Sequence, residues 1–351
     1  MRRTLIAILA WSSCHAFGAQ AEPPLFSSEE MLRTALTAPL AEAFSQKKQK
    51  DRLYLEGRWS YRQDEATVRL PVKIRTRGNF RRVNCALPPL QLNFRKKTLD
   101  GTLLDGQDKL KMVSPCGHGE KYQQLIYLEY LVYRLFALFS DYHFRTRLVE
   151  VGYVDTGERA DPWQSVNFLI EDVQAMAARS GAGLVDIESS RRSEMDLGLT
   201  ALVEVFQFMI GNVDYSTLQS PPGDKCCHNV KLLARADSSA GGYLPVPYDF
   251  DSAGIINAPY ATVPEQVPIK RVTQRYFTGW CKEEYRFREA ISRVNAQREG
   301  AIAVFEKFPL LEKKYRKKAV DYLDKSYQLL NDEKYVKRYI LGRCRGEVIP
   351  G

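Results

Sequence analysis

The sequence predicts an α+β protein with a sheet-rich first part and a helix-rich second part. Three observations lead there. Apolar and polar residues alternate from 52 to 95, an apolar-periodic run fills 119–140, and amphipathic helical patterns dominate after residue 172. The organisation that follows is a leader over residues 1–21, a sheet-rich lobe over 22–172 and a helical lobe over 173–351.

The leader is "MRRTLIAILAWSSCHAFGAQA": Arg2 and Arg3, an apolar stretch from Leu5 to Trp11, then small residues up to Ala21. This is the three-part pattern of a secretory signal, with cleavage expected before Glu22. The apolar stretch is too short to cross a ~30 Å hydrocarbon core. Lipid attachment at Cys14 is the rival reading, but Trp11 and Ser12 before it fit that poorly. Residues 28–46 carry serines and acids ahead of an apolar-periodic run and are expected to be helical. "LYLEGRWSYR", "ATVRLPVKIRTRG" and "LQLNF" are expected strands, punctuated by Gly78-Asn79 and Pro88-Pro89. Residues 119–140 form the strongest expected helix, followed by strands near 145–154 and 166–171. A buried helix is expected over 196–212, a hairpin over 230–248, and a series of Lys-, Glu- and Tyr-rich helices over 280–342.

A mature chain of about 330 residues buries enough surface to fold without covalent staples. The formal charge of +9 falls to +7 once Arg2 and Arg3 leave. Part of the excess sits in "KKYRKK" at 313–318, the wet face of a helix, and no nucleic-acid-binding motif accompanies it. No nucleic-acid partner is expected, and no transmembrane helix in the mature chain. Six cysteines remain after the leader: Cys85, Cys116, Cys226, Cys227, Cys281 and Cys344. An even number in an exported chain points to disulfides. Cys85 with Cys116 would clip the first half. Cys281 with Cys344, or either of them with Cys226 or Cys227, would clip the second. Adjacent cysteines are expected not to bond to each other, and the spacing of Cys226, Cys227 and His228 matches no zinc pattern.

The chemistry concentrates in two short clusters, "GNVDYSTLQSPPGDKCCHNV" at 211–230 and "VPYDFDSAG" at 246–254. Asp214, Asn229, Asp249 and Asp251 supply carboxylate and amide oxygens, the donors that suit Mg²⁺ or Mn²⁺. Phosphoryl transfer needs a carboxylate beside the acceptor, oxygens on a divalent ion and a cation on the phosphates. The order of residues here agrees with that inventory.

Five motifs in order, "RTRGNF" at 75–80, "LEYLVYRLF" at 128–136, "GNVD" at 211–214, "HNVKLL" at 228–233 and "PYDFD" at 247–251, make the chain resemble the CotH-like kinases, the spore-coat-protein group of atypical secreted kinases. The resemblance covers roughly residues 70–260. It implies a two-lobed protein-kinase-like fold, with ATP and Mg²⁺ or Mn²⁺ as cofactors and a hydroxyl of a protein or envelope component as phosphate acceptor. Residue by residue, it implies Asp214 as the catalytic carboxylate and Asn229, Asp249 and Asp251 around the metal. Two departures accompany it: the stretch between Asp214 and Asn229 is longer than in the family, and Pro88 and Pro89 stand where a lysine-bearing strand is expected. Lys73, Arg75, Arg77, Lys96 and Lys97 are the candidate phosphate cations, with Glu129 or Glu171 as a pairing carboxylate. No Gly-rich phosphate loop is visible.

The plainer reading stands beside this one. Asn212 and Asp214 cap and turn a chain leaving a helix, Asp249 and Asp251 form a turn or a calcium site, His228 is a hydrogen-bonding residue, and Glu129 is a surface residue. ATP is scarce outside the cytoplasm, which favours an alternative: a non-catalytic interaction protein of the cell envelope, periplasmic or secreted.

Overall fold

The computed structural model describes residues 24–235 and 241–349. The expected leader over 1–21, with Cys14, lies outside the described residues. Seven strands close into a barrel: β1 (Leu32–Ala38), β2 (Leu55–Gln63), β3 (Ala66–Thr76), β4 (Leu90–Phe94), β5 (Lys109–Val113), β6 (Thr146–Asp155) and β7 (Trp163–Ile170). The order around it is β1-β2-β3-β4-β5-β7-β6, and β6 closes the ring by pairing parallel to β1. The alternation read from the sequence works as expected here. Trp59, Tyr61, Leu70, Val72, Ile74, Leu92 and Phe94 point inward and fill the barrel with Leu36, Leu110 and Val151. The β2–β3 hairpin turns through Asp64 and Glu65, with Asp64 at a φ of 53°. Gly57 lets β2 approach the end of β1, since a Cβ there would sit 2.7 Å from that of Ala38.

The segment expected to be helical over 28–46 is instead β1 followed by the short α1 (Leu40–Ser45). The reason is tertiary. Leu32, Leu36 and Ala38 are buried in the barrel, and both edges of β1 are paired, to β2 on one side and β6 on the other. A propensity difference of under ~1 kcal/mol per residue loses to that.

The other helices are α2 (Phe80–Asn84), α3 (Glu120–Ala137), α4 (Val173–Arg179), α5 (Leu197–Ile210), α6 (Glu284–Ala296), α7 (Arg298–Glu306), α8 (Lys313–Leu330) and α9 (Glu333–Tyr339). A second sheet, ordered β10-β9-β8, combines β8 (Ala182–Leu184), β9 (Val230–Arg235) and β10 (Leu244–Pro247), and β11 (Trp280–Lys282) pairs parallel to β12 (Arg345–Ile349).

The two-lobed protein-kinase-like arrangement does not form. The first-half sheet is a closed seven-stranded barrel rather than the sheet-rich lobe of a kinase. Among the described residues the longest apolar helix, α3, joins the second-half core, where Leu131, Leu135 and Phe136 pack with Phe206, Phe250, Phe287 and Tyr327. Barrel residues Leu148, Val166 and Phe168 belong to that same cluster. Because α3 is apolar on nearly every side, it has to be covered by strands on one side and helices on the other.

Three cysteine pairs are bonded: Cys85–Cys116, Cys281–Cys344 and, against expectation, the adjacent Cys226–Cys227. Both members of the adjacent pair are buried with Leu218, Val230 and Leu232. The two longer bridges limit the unfolded chain by about 3–4.5 kcal/mol each. Disulfides agree with an exported protein. Among the described residues no helix is long and apolar enough to cross a membrane.

Under the helical half lies a buried ion pair. Lys282 Nζ is 2.5 Å from Glu204 Oε2, and Glu204 Oε1 also accepts the Trp280 backbone N–H at 3.0 Å. Glu204→Leu strands the lysine and that N–H, so thermal unfolding should show a loss of about 3–5 kcal/mol. The double variant Glu204→Leu with Lys282→Met should recover more than half of it, and equal losses in the two variants would refute this account.

Candidate active site

Helix α5 begins at Asp196, whose side chain accepts the Leu199 N–H, and ends at Gly211 with a φ of 67°. A side chain at Gly211 would run into the Tyr322 hydroxyl. The chain then turns on buried Asn212, whose Oδ1 accepts the Asp214 N–H at 3.0 Å, and this local turn sets the Asp214 backbone. The long stretch after Asp214 folds back on itself. Ser216 N–H donates to the His228 carbonyl, His228 N–H to that of Gln219, and Cys226 N–H to that of Ile187, each at 2.9 Å. Asn229 therefore returns to Asp214, and its Nδ2 reaches the Asp214 carbonyl at 2.7 Å and Oδ2 at 3.2 Å. His228 Nε2 lies 2.7 Å from Asp214 Oδ1.

β9 and β10 carry the second cluster into place. Tyr248 N–H donates to the Asn229 carbonyl at 3.0 Å, and Asp249 N–H donates to the Tyr133 hydroxyl of α3 at 2.9 Å. Phe250 is fully buried between Tyr133 and Phe206, with ring centroids at 4.8 and 5.7 Å, which turns Asp249 and Asp251 the other way. Asn229 and Asp249 both hold left-handed backbone, at φ of 53° and 60°, a conformation that costs a non-glycine residue about 1 kcal/mol or more. Such strain persists only where surrounding bonds hold it.

The pivot is Arg81 on α2. Its Nη1 and Nη2 each meet a Glu129 oxygen at 2.9 Å, Nη2 meets Asp249 Oδ1 at 3.1 Å, and Nε meets Asp251 Oδ2 at 3.0 Å. Burial pushes Glu129 up to about 7, with Arg81 opposing. The two-pronged contact with a guanidinium that keeps its proton holds this pair ionised. Burial likewise raises Asp251 to about 6, opposed by Arg81 and reinforced by Asp249 and Asp214. Asp214 moves the other way: burial would raise it, but the hydrogen bond and charge of His228, together with hydrogen bonds from Ser252 and Asn229, outweigh that, so it is an ionised carboxylate at neutral pH. The same bond raises His228.

Asp214, Asn229, Asp249 and Asp251 share one cleft of about 530 Å³ with Arg77 and Lys231. Lys111 of β5 and Lys231 of β9 approach the Tyr248 ring at 5.3 and 5.4 Å. The side chains of Arg77, Lys111 and Lys231 form no hydrogen bond or ion pair among the described residues. Burial, then the charges of Arg77 and Lys231, lowers Lys111 to about 8, and burial also lowers Arg77 and Lys231. Arg77 and Lys231 in the cleft, with Lys111 near them at Tyr248, make a place for an anion.

Of the residues singled out in the sequence, the fold thus brings together Asp214, Asn229, Asp249, Asp251 and Arg77, with Glu129 behind them on Arg81. It does not bring in the others. Lys73 pairs with Glu56 on the outside of the barrel at 2.9 Å, Lys96 faces Asp108, Lys97 lies in an exposed turn, and Arg75 stacks on Tyr54. Glu171 is buried against Arg179 and accepts the Arg145 N–H. Arg81, Lys111 and Lys231 were not legible as site residues. The nearest signal for Arg81 is its place four residues after Arg77 in "RGNFRR", and β5 is too short for its alternation to stand out.

The oxygens suit a hard divalent ion. Asp249 Oδ2 and Asn229 Oδ1 have no partner among the described residues, so both are open to a cation. Among the described residues no group of three or more His, Cys, Asp or Glu side chains is placed to hold a metal ion, so an ion here also needs the Asn229 amide oxygen and the ligand's own oxygens.

No protein-family model matches the chain, and no curated protein matches it.

The lowered Lys111 carries a signed consequence. Below pH 8 the folded state keeps a desolvated ammonium at a cost, which fades between pH 8 and the ordinary lysine value of 10.5. Lys111→Met should therefore raise the melting temperature at pH 7 by the equivalent of about 1–3 kcal/mol. The gain should vanish above pH 10.5. A variant no more stable than the parent at pH 7 would contradict the burial of an unpaired charge.

Proposed function

We propose that the chain is an exported phosphotransferase of the CotH-like kind, moving a phosphoryl group from a nucleotide to a hydroxyl of a protein or another envelope component in the periplasm or outside the cell. The observation that carries this reading is the pairing of opposites in one cleft: unpaired Arg77 and Lys231, with Lys111 beside them, and the oxygen set of Asp214, Asn229 and Asp249. The motif order, the disulfides and the leader-like first residues support it.

In this reading Arg77, Lys111 and Lys231 hold the phosphates. Asp249 and Asn229 would hold Mg²⁺ or Mn²⁺, which supplies charge neutralisation on the phosphate oxygens when bound. Asp214 orients the acceptor hydroxyl and takes its proton as the new O–P bond forms and the bond to the nucleotide's leaving phosphate breaks. His228 at Oδ1 and Asn229 at Oδ2 fix the rotation of Asp214 and help keep it ionised, and the acceptor hydroxyl would approach the Oδ2 side, where the Asn229 contact is the longer of the two. Positioning and charge account for most of the acceleration in such a transfer.

A non-catalytic envelope interaction protein is the second reading. One observation favours it: Asp249 and Asp251 already hold Arg81, and Asp214 already holds His228.

A melting-temperature titration of the mature protein with ATP and Mg²⁺ or Mn²⁺ separates the two. A ligand at ~100 times its dissociation constant adds ~2.7 kcal/mol. Asp249→Ala should abolish the shift, while Asp214→Ala should keep it and lose phosphate transfer to protein or envelope extracts. No shift at millimolar nucleotide would leave only the non-catalytic reading.

A further inference from the structure

Arg81 joins the carboxylates of Asp249 and Asp251, as a shared divalent ion would. In phosphoryl-transfer sites with two divalent ions, the two lie about 3.5–4 Å apart and share carboxylate ligands. Here Asp249 Oδ1 and Asp251 Oδ2, oxygens of two residues that could be shared in that way, are both engaged by one guanidinium, at 3.1 and 3.0 Å. That guanidinium is itself buried, and Glu129 grips its far side with two 2.9 Å bonds. To admit an ion at Asp251, Arg81 would have to leave a bidentate partner that is also buried, and the vacated Glu129 would stand uncompensated. If it stayed, a dication and a guanidinium would compete for the same oxygens. The oxygens without a partner among the described residues are Asp249 Oδ2 and Asn229 Oδ1, both of residues that line the cleft.

We infer that Arg81 is a built-in replacement for the second metal ion, so that the site takes one divalent ion per chain, and that Asp251 positions Arg81 instead of ligating metal. The inference rests on the phosphotransferase reading and deepens it. It also assigns a different job to each acid of the "DFD" turn: Asp249 faces both cations, Asp251 only the internal one.

The test is a count. Free Mn²⁺ is followed by its electron paramagnetic resonance signal while the mature protein, with a non-hydrolysable ATP analogue, is titrated. The parent should bind one Mn²⁺ per chain, Asp251→Asn should still bind one, and Arg81→Met should bind two and regain in Mn²⁺ the melting temperature it loses without it. Arg81→Met combined with Glu129→Gln, which removes one of the stranded charges, serves where the single variant does not fold. Two ions in the parent, or loss of the ion in Asp251→Asn, would overturn the inference while leaving the phosphotransferase reading intact. One ion in both Arg81 variants would overturn the replacement role of Arg81. No ion in the parent would overturn the inference and that reading together.

Discussion

The contact of one arginine with three carboxylates organises this molecule. Arg81 sits on a short helix between two barrel strands, Glu129 on the central helix and Asp249 and Asp251 on the turn after the second sheet. Barrel, helical core and site are thus joined at a single buried guanidinium. Charges brought this far from water are tolerated only when the geometry is good and every partner is present. The surroundings supply that geometry: the Cys85–Cys116 bridge holds the chain after α2 close to the entrance of α3, and Phe250 anchors the acidic turn.

Arg77 and Arg81, four residues apart, do opposite things. Arg81 is fully engaged, so the acidic wall of the cleft is largely compensated from within. Arg77 forms no side-chain hydrogen bond or ion pair among the described residues and lines the cleft with Lys231, so these cations are less compensated than the acids. Arg77, Lys111 and Lys231 are each held below their ordinary pKa by burial, which means that the fold keeps them at a cost in stability. Such a cost, with no structural gain beside it, is characteristic of binding sites, where a ligand supplies the missing charge.

The long stretch between Asp214 and Asn229 shows how a long loop can return to the point where it began. Its ends are joined by direct hydrogen bonds, and its middle is tied to the segment before α5 through Ile187. Its apolar residues Leu218, Cys226 and Cys227 form their own small cluster with Met195 and with Val230 and Leu232 of β9. The loop closes on itself, so its length is not felt at Asp214.

The sequence by itself determined the elements whose signals are local. The strands over 52–95 follow from alternation, α3 and α5 from apolar periodicity, and Asp214, Asn229 and Asp249 from oxygen-bearing residues at the ends of apolar runs. Tertiary structure alone decided the rest. β1 is a strand because two neighbours pair with it, though its own residues fit a helix, and ring closure by β6 joins positions over a hundred residues apart. That pairing closed the sheet of the expected first lobe into a barrel. The same distance hid Arg81, Lys111 and Lys231: a charge is read as solvated until the fold shows it buried, and which cation is paired and which is left free depends on contacts that no local pattern encodes.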